Sequence, residues 1–338
     1  MTYDPTGEWP TILSVTKMLD PNGAIADIGA VYAQTDEMFK DLPMQEANGK
    51  TFHRITVEDG MPQGTWRRLN KGISATGAGT LQVDETIGVL EGRSEVDVLI
   101  ARMSGDVAKF RKKKDDSHIR GLGAQVASTL IYGDTATYPD RFHGFGPRYD
   151  ALGKKTDTFG AFNPMSQVYS NGGSGSALSS VWLIGWGEDT VYGIYPQGSP
   201  AGIENEDLGV IDCRDADGKV FRGYASHYRI QVGLAVEDWR YVARLANIDV
   251  TATVNDAATT LLLNNIIDMT HAIPSLTMCR PVMYCNRAVK AFLTKLAFAK
   301  TNLALQIGEV YGEKNVLNIN GIPLRQSDSI TLTETTIS

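Results

Sequence analysis

The chain has little of what catalytic or exported proteins usually need. Its 338 residues include three cysteines, Cys213, Cys279 and Cys285, which fit neither a disulfide framework nor a thiolate metal site. Each reads as a small buried hydrophobe in a protein made in a reducing compartment. There is no basic excess: the formal net charge of −7 argues against a free nucleic-acid binder. No apolar run approaches the roughly 20 residues that span a bilayer. The first eight residues, from Met1 to Glu8, are acidic and polar where a secretory signal is basic and then apolar. Neither export nor membrane insertion is expected.

Signatures of chemistry are missing as well. The histidines His53, His118, His143, His227 and His271 are scattered, and none has a second histidine or an acid at metal-ligand spacing. No G-x-G-x-x-G occurs, and no Gly-Lys-Ser or Gly-Lys-Thr closes a phosphate loop. Residues 171–176 approach a G-x-S-x-G elbow but lack the strand before and the helix after. Ser14-Val15-Thr16-Lys17 matches S-x-x-K without the companion motifs of that chemistry. No cofactor or metal is expected, and no repeat of 20 to 50 residues is visible. The acids Glu204, Glu206 and Asp207 crowd residues 202–209 and could hold a hard cation through oxygen, although a solvated loop tip is the simpler reading. Asp215-Ala216-Asp217-Gly218 opens like a calcium loop, but the later acids are out of place, and a hairpin turn accounts for it.

What is present is a long β-excursion over residues 51–91. Alternating segments at 53–57 and 65–69 flank the turn Glu58-Asp59-Gly60-Met61-Pro62 and predict a hairpin, and a third segment at 81–87 follows a glycine-rich stretch. An isolated hairpin is marginal in water, so this ribbon reads as an arm that grips a neighbouring copy. Trp66, with Arg67 and Arg68 beside it, suits an interface anchor, or else packs the ribbon's own base.

Around the arm, residues 22–42 carry apolar positions at helical spacing behind an extended amino-terminal segment. After it, Val96, Leu99, Met103, Val107 and Phe110, then Ile119, Leu122, Val126 and Leu130, predict a spine helix from about 95 to 131. Gly105, Gly121 and Gly123 predict a kink or break near 115–123. Lys109-Phe110-Arg111-Lys112-Lys113-Lys114 would spread cations over a solvent face of that helix, either to contact packaged nucleic acid or simply to solubilise it. Residues 133–180 read as a long connection. Strands are predicted at 180–186, 191–195 and 220–224 and in the run 227–248. A closing unit has helices at 257–272 and 287–300, a strand at 277–285, and a terminal pair turned by Asn320-Gly321.

This parts list, an α+β protein, resembles a tailed-bacteriophage major capsid protein of the Hong Kong 97 fold over nearly the whole chain. Four segments are similar to capsid proteins of short-tailed podoviruses: residues 14–23, from Ser14-Val15-Thr16-Lys17 through Asp20-Pro21-Asn22-Gly23; Gln82-Val83-Asp84-Glu85; Ser94-Glu95-Val96-Asp97; and residues 238–248, Asp238-Trp239-Arg240-Tyr241 through Asn247-Ile248. The resemblance implies an amino-terminal arm and short helix at 1–48 and an extended β-loop at 49–93 lying across the adjacent subunit. A peripheral domain with the spine would follow at 94–179, then a β-rich block shared between domains at 180–250 and an axial α/β domain at 251–338, with permuted strand order. It implies no enzymatic activity and self-assembly through hexamers and pentamers into an icosahedral virion head around double-stranded DNA, made in the host bacterial cytoplasm. A separate scaffolding protein, a portal and a cement or decoration protein are the implied partners.

Expected inter-subunit contacts are Trp9, Trp66, Arg67, Arg68, Lys71, Glu204, Glu206 and Asp207, with Lys71 a lysine available for covalent linkage. Expected DNA-facing residues are Lys109, Arg111, Lys112, Lys113 and Lys114. The rival readings are an encapsulin-like compartment shell and an enzyme whose site is assembled from dispersed residues, including the acids at 204–207.

Overall fold

The computed structural model describes residues 36–60, 62–77, 79–103, 105–153, 162–214, 218–251, 256–298, 305–310 and 313–338. The expected helix at 22–42 lies mostly outside these; its described end is α1, Met38–Asp41, where the Asp36 carboxylate accepts the Met38 N–H and Met38, Phe39 and Leu42 are buried.

Two sheets share one continuous core. The first has the order β1-β6-β8-β3-β2, with β7 also paired to β8. Its strands are β1 (Met44–Glu46), β2 (Phe52–Glu58), β3 (Thr80–Asp97), β6 (Val191–Tyr195), β7 (Ile203–Arg214) and β8 (Val220–Val236). The second has the order β11-β12-β13-β10-β5-β9-β4. It comprises β4 (Val168–Ser170), β5 (Leu178–Trp186), β9 (Val242–Asp249), β10 (Arg280–Cys285), β11 (Leu305–Val310), β12 (Glu313–Ile319) and β13 (Ile322–Gln326). Every residue of β5 is buried, as expected of a central strand covered on both faces. On one face Trp182 and Trp186 meet Phe145 and Tyr149 of the connection that follows the spine helix. Helices α4 (Asp256–Ala272) and α5 (Arg287–Phe298) pack on strands of the same sheet.

Several local predictions hold. Asn320 and Gly321, with φ of 53° and 80°, make the two-residue turn between β12 and β13. The closing helices and strands lie within a few residues of their expected limits. The run 227–248 is two strands separated by a 3₁₀ turn at Trp239–Tyr241, not one.

The hairpin register differs from expectation. Residues 53–57 pair with 81–85, while 65–69 form no strand. Both segments alternate, so alternation alone could not choose between them; pairing across about 25 residues was settled by packing. The spine also breaks elsewhere. β3 continues to Asp97, α2 covers Val98–Met103, and Gly105 at φ +82° separates it from α3, Val107–Tyr132, which runs unbroken through 115–123. Buried Ile119, Leu122, Gly123, Val126, Ala127, Leu130 and Ile131 hold that stretch helical, and tertiary packing of such a face outweighs the roughly 1 kcal/mol penalty of each glycine. Residues 202–209, expected as a loop, belong mostly to β7, with a bulge between Asp207 and Gly209. Strands β1, β4 and β11 were not foreseen.

Buried charge pairs join distant segments. Asp41 accepts a 2.6 Å hydrogen bond from the Tyr284 hydroxyl and faces Arg325 at 2.9 Å and Arg280 at 3.0 Å, tying α1 to β10 and β13. Glu334 pairs with Arg244 at 2.9 Å and accepts from Tyr132 and Ser180. Asn247 holds both the N–H and the carbonyl of Ile337, so the last residues form a strap over β5 and β9. Removing one partner of such a pair leaves an uncompensated buried charge, at about 3–5 kcal/mol. Asp41→Ala is therefore expected to lower the unfolding free energy of the unassembled chain by about that amount, measured by urea titration followed by tryptophan fluorescence.

Candidate assembly surfaces

The arm consists of β2, the segment 59–79 and the first part of β3. Its base is bedded on its own chain. Ile55 and Val57 are buried, and Glu85, itself buried, makes a two-pronged pair with Arg148 at 2.5 and 2.6 Å. Arg148 lies in the connection after α3, so this pair fixes the arm's root to the body. His53 supplies a second tie. Its Nδ1 accepts the Asn48 N–H, which leaves Nε2 to donate to the Tyr192 hydroxyl at 3.1 Å, and Tyr192 donates in turn to Glu237. Burial holds the His53 pKa below the ordinary histidine value, consistent with the neutral ring that this chain of donors requires. Arg54 and Asp84 form an exposed pair across the two strands.

Beyond Asp59 the character changes. The Asp59 N–H donates to the Gly79 carbonyl, closing the root of the loop. A Cβ at Gly79 would lie 2.3 Å from the Asp59 carbonyl oxygen, so only glycine fits there. Every described residue from 62 to 77 is exposed. Trp66 is fully exposed, and Leu69 and Ile73 are 88% and 66% exposed. Trp66 therefore does not pack the ribbon's own base. Arg67, Arg68 and Lys71 stand on the same exposed tip.

The other expected contacts fall in different places. Trp9 lies outside the described residues, as do residues 215–217 of the expected hairpin turn. Glu204, Glu206 and Asp207 lie on β7 rather than on a loop tip. Glu204 pairs with Arg229 at 3.7 Å and Asp207 with Arg111 at 2.5 Å, so these two are engaged by arginines rather than gathered with Glu206 in a cation loop, and among the described residues no cluster of three or more His, Cys, Asp or Glu is arranged to hold a metal. Sequence reasoning missed this because β7 is rich in charge on both faces, which hides the alternation of a strand.

The basic run divides. Lys109, Lys112, Lys113 and Lys114 are exposed on α3. Arg111 is instead turned toward the sheet, over the Tyr224 ring at 5.0 Å and against Asp207 and the Ser226 hydroxyl. It anchors the helix to the sheet. Cys213, Cys279 and Cys285 are buried and unbridged, and burial pushes the thiols of Cys279 and Cys285 up to about 12, far from a reactive thiolate. No helix among the described residues is long and apolar enough to cross a membrane.

The two ion pairs at the arm's root differ in burial and should differ in worth. Arg148→Met leaves Glu85 buried opposite an apolar side chain and is expected to destabilise the chain by about 3–5 kcal/mol. Arg54→Ala, at the solvent-exposed pair, should leave the same urea midpoint unmoved.

Comparison with known proteins agrees with this architecture. No curated protein matches the sequence. A chain from the structure of bacteriophage Epsilon15 is 28% identical, with 88% of each chain covered and a TM-score of 0.65. The capsid of bacteriophage JBD30, only 7% identical, superposes over 87% of this chain and 91% of that one with a TM-score of 0.51, a likeness of fold. The two-sheet α+β arrangement with its projecting arm is thus a Hong Kong 97-like capsid fold. The model of the family described as major capsid protein GP7 matches residues 20–338, and the chain belongs to that family.

Proposed function

We propose that this chain is the shell-forming subunit of a tailed-bacteriophage head: copies associate into hexamers and pentamers that close into an icosahedral capsid around double-stranded DNA. The observation that carries this reading is the arm tip, where Trp66, Leu69 and Ile73 stand in solvent on a segment with almost no internal hydrogen bonding. Burying each large apolar side chain contributes roughly 1.5–3 kcal/mol, and that gain is open to the chain only through another molecule. The root is fixed by Glu85 and Arg148 while the tip is left bare, as suits a lever that must meet a neighbour in a set direction.

In this reading the six-stranded sheet with α3 is the peripheral domain, and the seven-stranded sheet with α4 and α5 is the axial domain near the capsomer centre. Trp66, Arg67, Arg68 and Lys71 contact the next subunit, and Trp9 belongs to the amino-terminal arm. The exposed lysines 109, 112, 113 and 114 face packaged DNA, where each cation neutralises phosphate charge; Arg111, already engaged with Asp207, does not. A separate scaffolding protein, a portal and a decoration protein complete the assembly, which is built in the host bacterial cytoplasm and leaves in the virion. The subunit carries out no reaction of its own.

Sedimentation and electron microscopy of the purified chain test this directly. Megadalton shells, enclosing DNA when taken from infected cells, are expected; a soluble oligomer of a few subunits with catalytic turnover overturns the reading. Trp66→Ala should lower particle yield by roughly tenfold, the scale of an interface hot spot, with unchanged helical circular dichroism. Equal yields would remove Trp66 from the interface.

A further inference from the structure

The glycine-rich loop after β4 takes no part in the shell contacts described above. β4 ends at Ser170 beside β9, and the next residues follow the end of that strand: the Asn171 N–H donates to the Ala246 carbonyl, and the Gly173 N–H to the Asn247 carbonyl. A Cβ at Gly173 would lie 2.4 Å from the Asn247 oxygen, so only glycine lets the loop come so close. Across from the loop stands α5, where Ala288, Phe292 and Lys295, spaced by four and three, share one face. Loop, strand end and helix enclose a cavity of about 510 Å³, within the roughly 300–1,000 Å³ of pockets that hold small ligands.

The lining is divided in character. Ile248 of β9, Leu262 of α4 and Val289 of α5 are buried aliphatic walls, and the half-buried Phe292 adds a ring. The charged lining groups are Asp249 and Lys295. Asp249 is engaged, its Oδ1 accepting both the N–H and the hydroxyl of Thr251 at 2.8 Å. Lys295 is exposed, and among the described residues no carboxylate pairs with its ammonium group. The cavity therefore offers apolar walls and an unclaimed cation.

We propose that this cavity is a binding site for a single-chain aliphatic anion of the fatty-acid class, with its tail between α5 and β9 and its carboxylate at Lys295. A peptide or a nucleotide set against those aliphatic walls would leave its own polar groups unpaired. A hydrocarbon tail has none to pair, and its carboxylate meets the free ammonium group. The site lies within one subunit and does not depend on the shell reading. A gap left by imperfect packing is the competing account. It predicts only weak, unsaturable uptake of apolar solutes, indifferent to their charge.

Equilibrium dialysis of decanoate against the purified full-length chain separates the two. One saturable site per chain is expected, with Kd on the order of 100 µM, and affinity should fall about fourfold for each methylene removed. Decanol, with the same tail and no charge, should bind about fivefold more weakly. Ala291→Trp, which places a ring in the cavity from an exposed helix position, should abolish decanoate binding. Lys295→Glu should weaken decanoate roughly tenfold while leaving decanol within about twofold. Absence of a saturable site overturns the proposal, as does full binding by Ala291→Trp with wild-type circular dichroism. Equal affinity of wild type for decanol and decanoate, or an equal loss of both in Lys295→Glu, overturns it too. Should Ala291→Trp fold poorly, the Lys295→Glu comparison decides, because that side chain is exposed and its replacement leaves the core untouched. Shell formation scored on the same preparations keeps failure of this site distinct from failure of the shell reading.

Discussion

The molecule depends on one strand making two pairings. β3 is 18 residues long; residues 80–86 pair with β2 in the arm and residues 87–97 pair with β8 in the body. Because the backbone is continuous, the direction of the arm is set by the sheet that anchors the other half. Glu85 and Arg148 clamp the strand near the changeover between these two halves. An arm joined through a loop would be free to swing; one joined through a hydrogen-bonded strand is not.

The same economy governs the body. Trp182 and Trp186 of β5 pack against Phe145 and Tyr149, which close the end of α3 over the second sheet, so the two sheets are faces of one core. Among the described residues its buried ion pairs cross long sequence distances: Asp41 to Arg280 and Arg325, Glu85 to Arg148, Arg244 to Glu334. A buried pair of this kind adds less net stability than it costs to break. Its effect is to hold α1, the arm root and the carboxyl-terminal strap in a single arrangement. For a subunit that must present several surfaces at fixed relative angles, that specificity matters more than the stability gained.

The arm tip has no such internal support. Ordering a backbone residue costs roughly 1–2 kcal/mol, so in the docking proposed above the gain from burying Trp66, Leu69 and Ile73 would be largely offset. Each arm contact is then modest, and association becomes strong only when many contacts close together in a ring. Weak individual contacts also let misplaced subunits leave before closure, which is how a large shell reaches a regular form.

Much of this was legible in the sequence wherever the signal is local. Asn320-Gly321 specifies its turn by positive φ at both positions, the closing helices announce themselves by apolar spacing, and the arm by a long polar-apolar excursion with an unclaimed tryptophan. The sequence by itself determined those elements, the absence of G-x-G-x-x-G and phosphate-loop motifs, and the family resemblance carried by residues such as 82–85 and 238–248. Tertiary structure alone decided that 53–57 pairs with 81–85 rather than 65–69, that the spine breaks at Gly105 and not at 115–123, that residues 203–214 are a charged strand, and that Glu334 and Ile337 belong to a strap. In each case the deciding energy is a contact between residues tens to hundreds of positions apart, and nothing in local spacing encodes which distant partner will be there to make it.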